Sequence, residues 1–516
     1  MNSSLIVIVG YLTIVTLIGM LAAKRSKSST DWAVAGGGMG IWMIAVGAAG
    51  TRIGGAGTYG VAGDVIADGV WNLWWYGIGT FIAMAVLGFF FAIPYRRARI
   101  QTVGEIFTMR FGSQRNQVIT SLCVQIEYFI VNVIEAYIIA VILKGLLGID
   151  MLYGVIIAAF VLISYVTVGG LWGAAFTNLI HCAVIIFGLA LVNIIGIAQL
   201  GGWSDFVALI DAQLAKAGGE PAHFWSFLGV GWIPVIAMIF SVAVHTPAAS
   251  VYTNYSSAAR SEKILLPAFL LAGLLGALMP ILAGGVGMLT IAHFGFESGT
   301  SGYANLTQVA ATIHPWIGGV ALAAVLAAVV SSGGPILLAS ATMFVRDWLR
   351  FADNWSSDRK LKAYRVSTVV YGLVAAALAW INAKYLHLSV LDMLLFGFSM
   401  VVPPAIAVTF LIYWRRTTER GAFWGIASGL VAGLVWFAAI QWADIAKFEI
   451  DAASSDLARL VYWCFRKDGG VDPSYLTTLI PLVVVPLVSL FTERRTEGEA
   501  QFYDVLAGRV ATSFKA

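Results

Sequence analysis

Gly50-Thr51-Arg52-Ile53-Gly54-Gly55-Ala56-Gly57 interrupts an apolar run that extends over residues 39–66. The run can cross a bilayer, which takes about 20 residues of helix. A guanidinium at that depth is costly and belongs against a protein interior or a water-filled cavity. The glycines weaken the helix and let the backbone unwind, which is tolerated in the hydrocarbon region only where the freed groups line a cavity. The stretch therefore predicts a binding site inside a membrane protein, with Arg52, Gly54 and Gly55 at it. The plainer reading is that small residues only let neighbouring helices approach closely.

The rest of the chain agrees with a membrane setting. Residues are 59% hydrophobic and 11% charged, against about 25% charged in soluble domains. The net charge is only +4, and the basic residues lie in short clusters between apolar spans. That excludes nucleic acid as a partner and leaves the lipid bilayer. Cys123, Cys182 and Cys464 show neither a disulfide framework nor zinc-type spacing. Residues 4–23 lack a basic lead and a cleavage site, so they read as a retained helix.

Apolar stretches at 4–23, 39–66, 70–94, 117–145, 151–168, 171–199, 227–256, 264–293, 316–345, 364–384, 387–413, 420–443 and 474–491 predict about thirteen transmembrane helices and an all-α integral membrane protein. Basic clusters around Lys24, Arg96, Arg110, Arg260, Arg346, Arg415 and Arg494 fall in alternate loops. The positive-inside rule then puts the N-terminus outside and the C-terminus in the cytoplasm of a plasma (inner) membrane.

A second interrupted span covers 227–256, with His245, Pro247 and Ala248-Ala249-Ser250. It lies five helices after the first and crosses in the opposite sense. Paired broken helices in two inverted halves point to a transport site, where half-helix ends offer dipoles and free carbonyls. In the 316–345 span, Ala328 and Ser332 share a helical face, with Ser331 beside them. Hydroxyls and a carbonyl suit a hard cation; the competing reading is serines bonded back to their own helix.

Several motifs, taken in order, resemble the sodium/solute symporter family, which includes the sodium-coupled sugar, proline and sialic acid carriers. They are Tyr59-Gly60-Val61-Ala62-Gly63, Thr102-Val103-Gly104-Glu105 with Arg110-Phe111-Gly112, Gly169-Gly170-Leu171-Trp172, Ala258-Ala259-Arg260-Ser261, Ser331-Ser332 with Asp347-Trp348, and Pro403-Pro404 to Trp414-Arg415-Arg416. The resemblance implies a LeuT-like core of inverted five-helix repeats, set here at 39–200 and 227–413. A loop at 201–226 joins them, and peripheral segments 1–38 and 414–516 flank them. It also implies a sodium site made by Gly50, Ile53, Ala328, Ser331 and Ser332.

The departures bear on the substrate. Many family members carry a neutral or acidic residue at Arg52. An acid frequent in the sixth helix is replaced by Asn178, and His181 and His245 stand where Gln and Tyr are common. Three readings compete for Arg52: a grip on an anionic substrate group, a substitute for a coupling ion, or a structural partner of Glu127 or Glu135. Both acids lie in an apolar span and need a partner or a proton there. His245 and His181 read either as site residues or as interhelical hydrogen bonds, and Tyr76 reads as a substrate contact.

The resulting expectation is a secondary active transporter, not an enzyme. It would import a small polar organic solute, an organic anion or carboxylate, by sodium symport with alternating access. The alternatives are a sodium-independent exchanger or proton-coupled carrier of the same fold, and a membrane sensor or channel on that scaffold.

Overall fold

Backbone polar groups have no water partner in a bilayer, so an apolar chain satisfies them internally as helix. The computed structural model bears this out; it describes residues 3–297, 305–309, 312–349, 354–386, 388–445, 455–465 and 470–512. In chain order the main helices are α1 (Ser3–Leu21), α2 (Ile41–Ile53), α3 (Val61–Asp68), α4 (Trp71–Val86), α5 (Arg115–Leu147), α6 (Met151–Gln199), α7 (Trp232–Ile239) and α8 (Ser250–Ala258). They continue as α9 (Leu265–Phe294), α10 (Pro315–Met343), α11 (Ser357–Ile381), α12 (Val390–Tyr413), α13 (Glu419–Ile445), α14 (Pro473–Phe491) and α15 (Glu499–Leu506).

Among the described residues, ten helices are long and apolar enough to cross a bilayer, and the bent pair around α7 and α8 would make an eleventh. The difference from thirteen has two causes. The 39–66 span is cut into α2 and α3, each too short by itself. The 151–168 and 171–199 spans run together as α6, with a turn between them at Gly170 (φ 57°, ψ −152°). Beyond that turn Asn178 reaches the Ser331 carbonyl. Before it, Leu162 packs on Gly333. A straight helix would separate Leu162 from Asn178 by about 24 Å, yet both meet neighbouring residues of α10, so the chain doubles back.

A side chain at Gly170 would stand 2.7 Å from the Trp32 ring and from the Trp32 carbonyl. Trp32 is itself fixed by stacking on Tyr364 at 5.1 Å. Gly170→Ala is therefore expected to destabilise the fold by about 2–4 kcal/mol, from the positive φ and the overpacking together. A thermal midpoint equal to that of the natural chain would contradict this.

α10 is the central helix, with 89% of its apolar 18-residue stretch buried, whereas α1 and α13, at 28% of theirs, are peripheral. The basic clusters gather at one end of the bundle. There Arg97 pairs with Glu262 at 2.8 Å, Arg110 with Glu499 at 2.9 Å, and Arg346 with Glu105. At that same end the main chain of Met39, just before α2, bonds to Ala258 at 2.8 Å and to Arg260 at 2.9 Å, just after α8. The two broken spans are thus joined at their basic ends.

Candidate functional site

The first break follows from its glycines. α2 stops because Gly54 takes φ +50° and ψ −169°, a conformation that side chains with a Cβ rarely adopt. The chain re-enters helix through a wide turn, in which the amides of Tyr59 and Gly60 both reach the Gly55 carbonyl, at 2.7 and 3.1 Å. The second break follows from Pro247, which has no amide hydrogen to continue a helix. Ala249 is extended, and the two halves meet at 50°.

Arg52 connects the breaks. It is 5% exposed. One terminal nitrogen lies 3.0 Å from His245 Nε2 and the other donates to the Val242 carbonyl. The guanidinium also lies 4.9 Å from the Phe398 ring centroid, and that ring stacks on His245 at 4.1 Å. His245 Nδ1 stands 2.5 Å from the Ser241 carbonyl. A carbonyl only accepts, so Nδ1 carries the hydrogen; a guanidinium only donates, so Nε2 offers a lone pair. His245 is therefore a neutral ring that orients Arg52, which is the interhelical hydrogen bond among the readings above.

No carboxylate of the described residues pairs with Arg52 within 4 Å. The nearest arrangement is Glu127 Oε1, 4.0 Å from His245 Nε2. Three buried polar atoms of the pocket have no hydrogen-bond partner: Arg52 Nε, Glu127 Oε2 and the Tyr76 hydroxyl. All three residues line one cavity with Tyr252, Phe398 and Leu394. About 20 Å³ of it is open to the centre of a water molecule, room for roughly one water. The side chains are drawn together around the site. The N-terminus of α8 also borders this cavity through Val251 and Tyr252, and a helix N-terminus favours negative charge.

A second constellation lies beside the first, on the carbonyl end of α2. The Ser331 hydroxyl is 2.9 Å from the Gly50 carbonyl and 2.7 Å from the Ala328 carbonyl. One proton can serve only one of these two acceptors, so oxygen lone pairs converge there without enough hydrogens. Asn178 donates to the Gly47 and Ser331 carbonyls at 3.2 Å each, and its own Oδ1 has no partner. This all-oxygen set fits a hard monovalent cation. Ser332 Oγ borders this set, 3.4 Å from the Ala328 carbonyl, and donates to Glu135, which also accepts the Gly55 amide at 2.9 Å.

The two constellations bring together Gly50, Arg52, Gly54, Gly55, Tyr76, Glu127, Glu135, Asn178, His245, Ala328, Ser331 and Ser332. Ile53 borders the cavity. Glu135 stands with Gly55 and Ser332, not with Arg52. His181 does not join either group: its ring bonds the Tyr11 hydroxyl of α1. Sequence reasoning missed Phe398 and Tyr252, because an aromatic residue inside an apolar span carries no signal of its own.

The comparisons with known proteins agree with this architecture. Two curated relatives, sodium/proline symporters of Staphylococcus aureus and of its strain JH9, are each 24% identical, over 84% of this chain and 86% of their own. A solved structure titled as a substrate-bound, outward-open Na+-coupled sialic acid symporter superposes with a TM-score of 0.73 at 19% identity, covering 95% of this chain and 98% of its own. That likeness establishes the all-helical, LeuT-like fold. The model of the sodium:solute symporter family matches residues 32–429, both broken spans and the central helix included. The chain belongs to the sodium:solute symporter family, and is a multi-pass membrane transporter coupled to sodium, not an enzyme.

Proposed function

We propose that this symporter imports a small organic solute bearing a carboxylate, by alternating access. The observation that carries the reading is Arg52: a buried guanidinium with a free Nε, in a cavity bordered by a helix N-terminus, and with no carboxylate among the described residues pairing it. A buried cation needs a counter-charge, and a solute carboxylate supplies one with bidentate geometry. Tyr76 offers a further hydroxyl. Sodium is assigned to Gly50, Ile53, Ala328, Ser331 and Ser332, on the oxygen-rich side of the same break.

Glu127 favours a second version of this reading, in which the solute is zwitterionic. Its Oε2 has no partner and would receive an ammonium while Arg52 holds the carboxylate. In the larger frame, residues 39–200 and 227–413 form the inverted repeats. The basic end faces the cytoplasm of the plasma membrane, which leaves the N-terminus outside.

The test is uptake into proteoliposomes of candidates chosen by thermal stabilisation, drawn from simple carboxylates, zwitterionic amino acids and neutral sugars. An inward sodium gradient is expected to concentrate a carboxylate-bearing solute, and an equal potassium gradient is not. Uptake restricted to neutral sugars would overturn the carboxylate reading. Equal uptake under both cations would overturn the sodium-site assignment.

A further inference from the structure

Glu135 plays no part in the solute reading above, yet it is among the most fully engaged groups in the protein. It is 1% exposed. Its two oxygens lie 3.1 and 2.9 Å from the Gly55 amide nitrogen, and one of them also accepts the Ser332 hydroxyl. These contacts describe a carboxylate acting purely as an acceptor. The fit is close. A Cβ on Gly54 would stand 2.3 Å from Glu135 Oε1 and 2.8 Å from Ser332 Oγ, and one on Gly55 would stand 2.6 Å from Glu135 Oε2. Two glycines and a carboxylate therefore occupy a space that admits no larger side chain.

Ser332 has a choice of acceptors. Its hydroxyl also lies 3.1 Å from the Val329 carbonyl and 3.4 Å from the Ala328 carbonyl, the usual back-bonds of a helical serine. It owns one proton. Given to the Ala328 carbonyl, that proton would occupy an oxygen of the cation set. Given to Glu135, it leaves the Ser331 hydroxyl as the one serine side chain competing for the Ala328 oxygen and leaves a Ser332 lone pair available on the side away from the carboxylate.

We propose that Glu135 is a positioning residue for the co-transported cation. It draws the Ser332 proton off the oxygen set and holds the re-entry of the broken helix at Gly55 in the same act. The proposal rests on the assignment of sodium to the oxygens of Gly50, Ile53, Ala328, Ser331 and Ser332. It extends that assignment to a residue that does not itself ligate the ion. Because Glu135 bonds both Ser332 of α10 and Gly55 beside the solute cavity, it links cation occupancy to the shape of the solute site.

The experiment uses the purified full chain in detergent and sodium alone as the probe. Thermal midpoints are measured across a sodium chloride titration, with potassium chloride holding the ionic strength constant. The natural chain is expected to be stabilised by sodium and not by potassium. Glu135→Gln presents an amide that can donate to Ser332 and reverse the bond. It is expected to raise the half-stabilising sodium concentration about 10- to 100-fold, the usual cost of removing the group that orients a metal ligand. Ser332→Ala is expected to do likewise, and the double variant to be no worse than the worse single one, since the two act as a unit. Independent, multiplying effects would overturn the proposal, as would an unchanged sodium requirement in Glu135→Gln. If Glu135→Gln does not fold, Glu135→Asp takes its place, with a rise of about 3- to 10-fold expected and no rise counting against the proposal. Absence of sodium stabilisation in the natural chain would instead overturn the underlying cation site, and this proposal with it.

Discussion

Replacing Arg52 by Gln is expected to lower the uptake efficiency for a carboxylate-bearing solute by roughly 30- to 1,000-fold. The estimate comes from the cost of truncating a buried, hydrogen-bonded charge partner, about 2–4 kcal/mol. Gln can still bond to His245 or to the Val242 carbonyl, so the two broken spans should remain joined and the chain should fold. The loss should therefore appear in solute affinity, with stabilisation by sodium alone largely kept. Arg52→Lys keeps the charge but lacks the planar fork that serves His245, the Val242 carbonyl and a carboxylate together; it should recover only a minor part of the activity. Radiolabelled uptake in proteoliposomes at saturating sodium measures both. A loss smaller than about threefold, well under the tenfold that 1.4 kcal/mol represents, would remove Arg52 from the solute site.

The second large effect is expected at Gly54. An alanine there must adopt φ +50° and place its methyl 2.3 Å from the Glu135 carboxylate. Backbone strain costs about 1–3 kcal/mol, and the forced displacement a similar amount. The displaced parties are Glu135 and Ser332, so the damage falls on the cation constellation as well as on stability. Sodium-driven uptake should drop by more than about tenfold, with a lower thermal midpoint. Gly10 is the matched control, because nothing lies within 4 Å of a Cβ built there. Gly10→Ala should leave both measurements nearly unchanged. Equal behaviour of the two alanine variants would mean that the break at Gly54 does not depend on its glycine.

Much of this arrangement was legible in the sequence, for a physical reason. In an apolar span each charge, glycine and proline stands out against a uniform background, so Arg52, Gly54, Pro247 and the two intramembrane acids were visible at once. The pairing of the two breaks was legible as well, since both interrupt spans that cross in opposite senses. The partnerships were not. Whether Glu135 meets Arg52 or the Gly55 amide depends on how α5 packs against α2 and α10, and nothing local in α5 records that. His245 was visible as a polar residue, but its tautomer follows from the Ser241 carbonyl on one side and the Arg52 guanidinium on the other. Phe398, which supports both the arginine and the histidine, was invisible among other apolar residues. The Gly170 turn was marked by the break between two hydropathy peaks, although helix runs up to it from both sides.

The link between Met39 and the residues following α8 is made wholly of main chain, one amide from Met39 and one from Arg260. Such a fastener is indifferent to which side chains stand at its positions. Ordinary substitution there leaves donor and acceptor in place, and only proline would delete a donor. Met39 and Ala258 are both fully buried, so parting these bonds would strand an amide and carbonyls away from water, which holds the fastener closed. Drift in the surrounding sequence can thus retune the cavity for a different cargo while this hasp between the two halves keeps working.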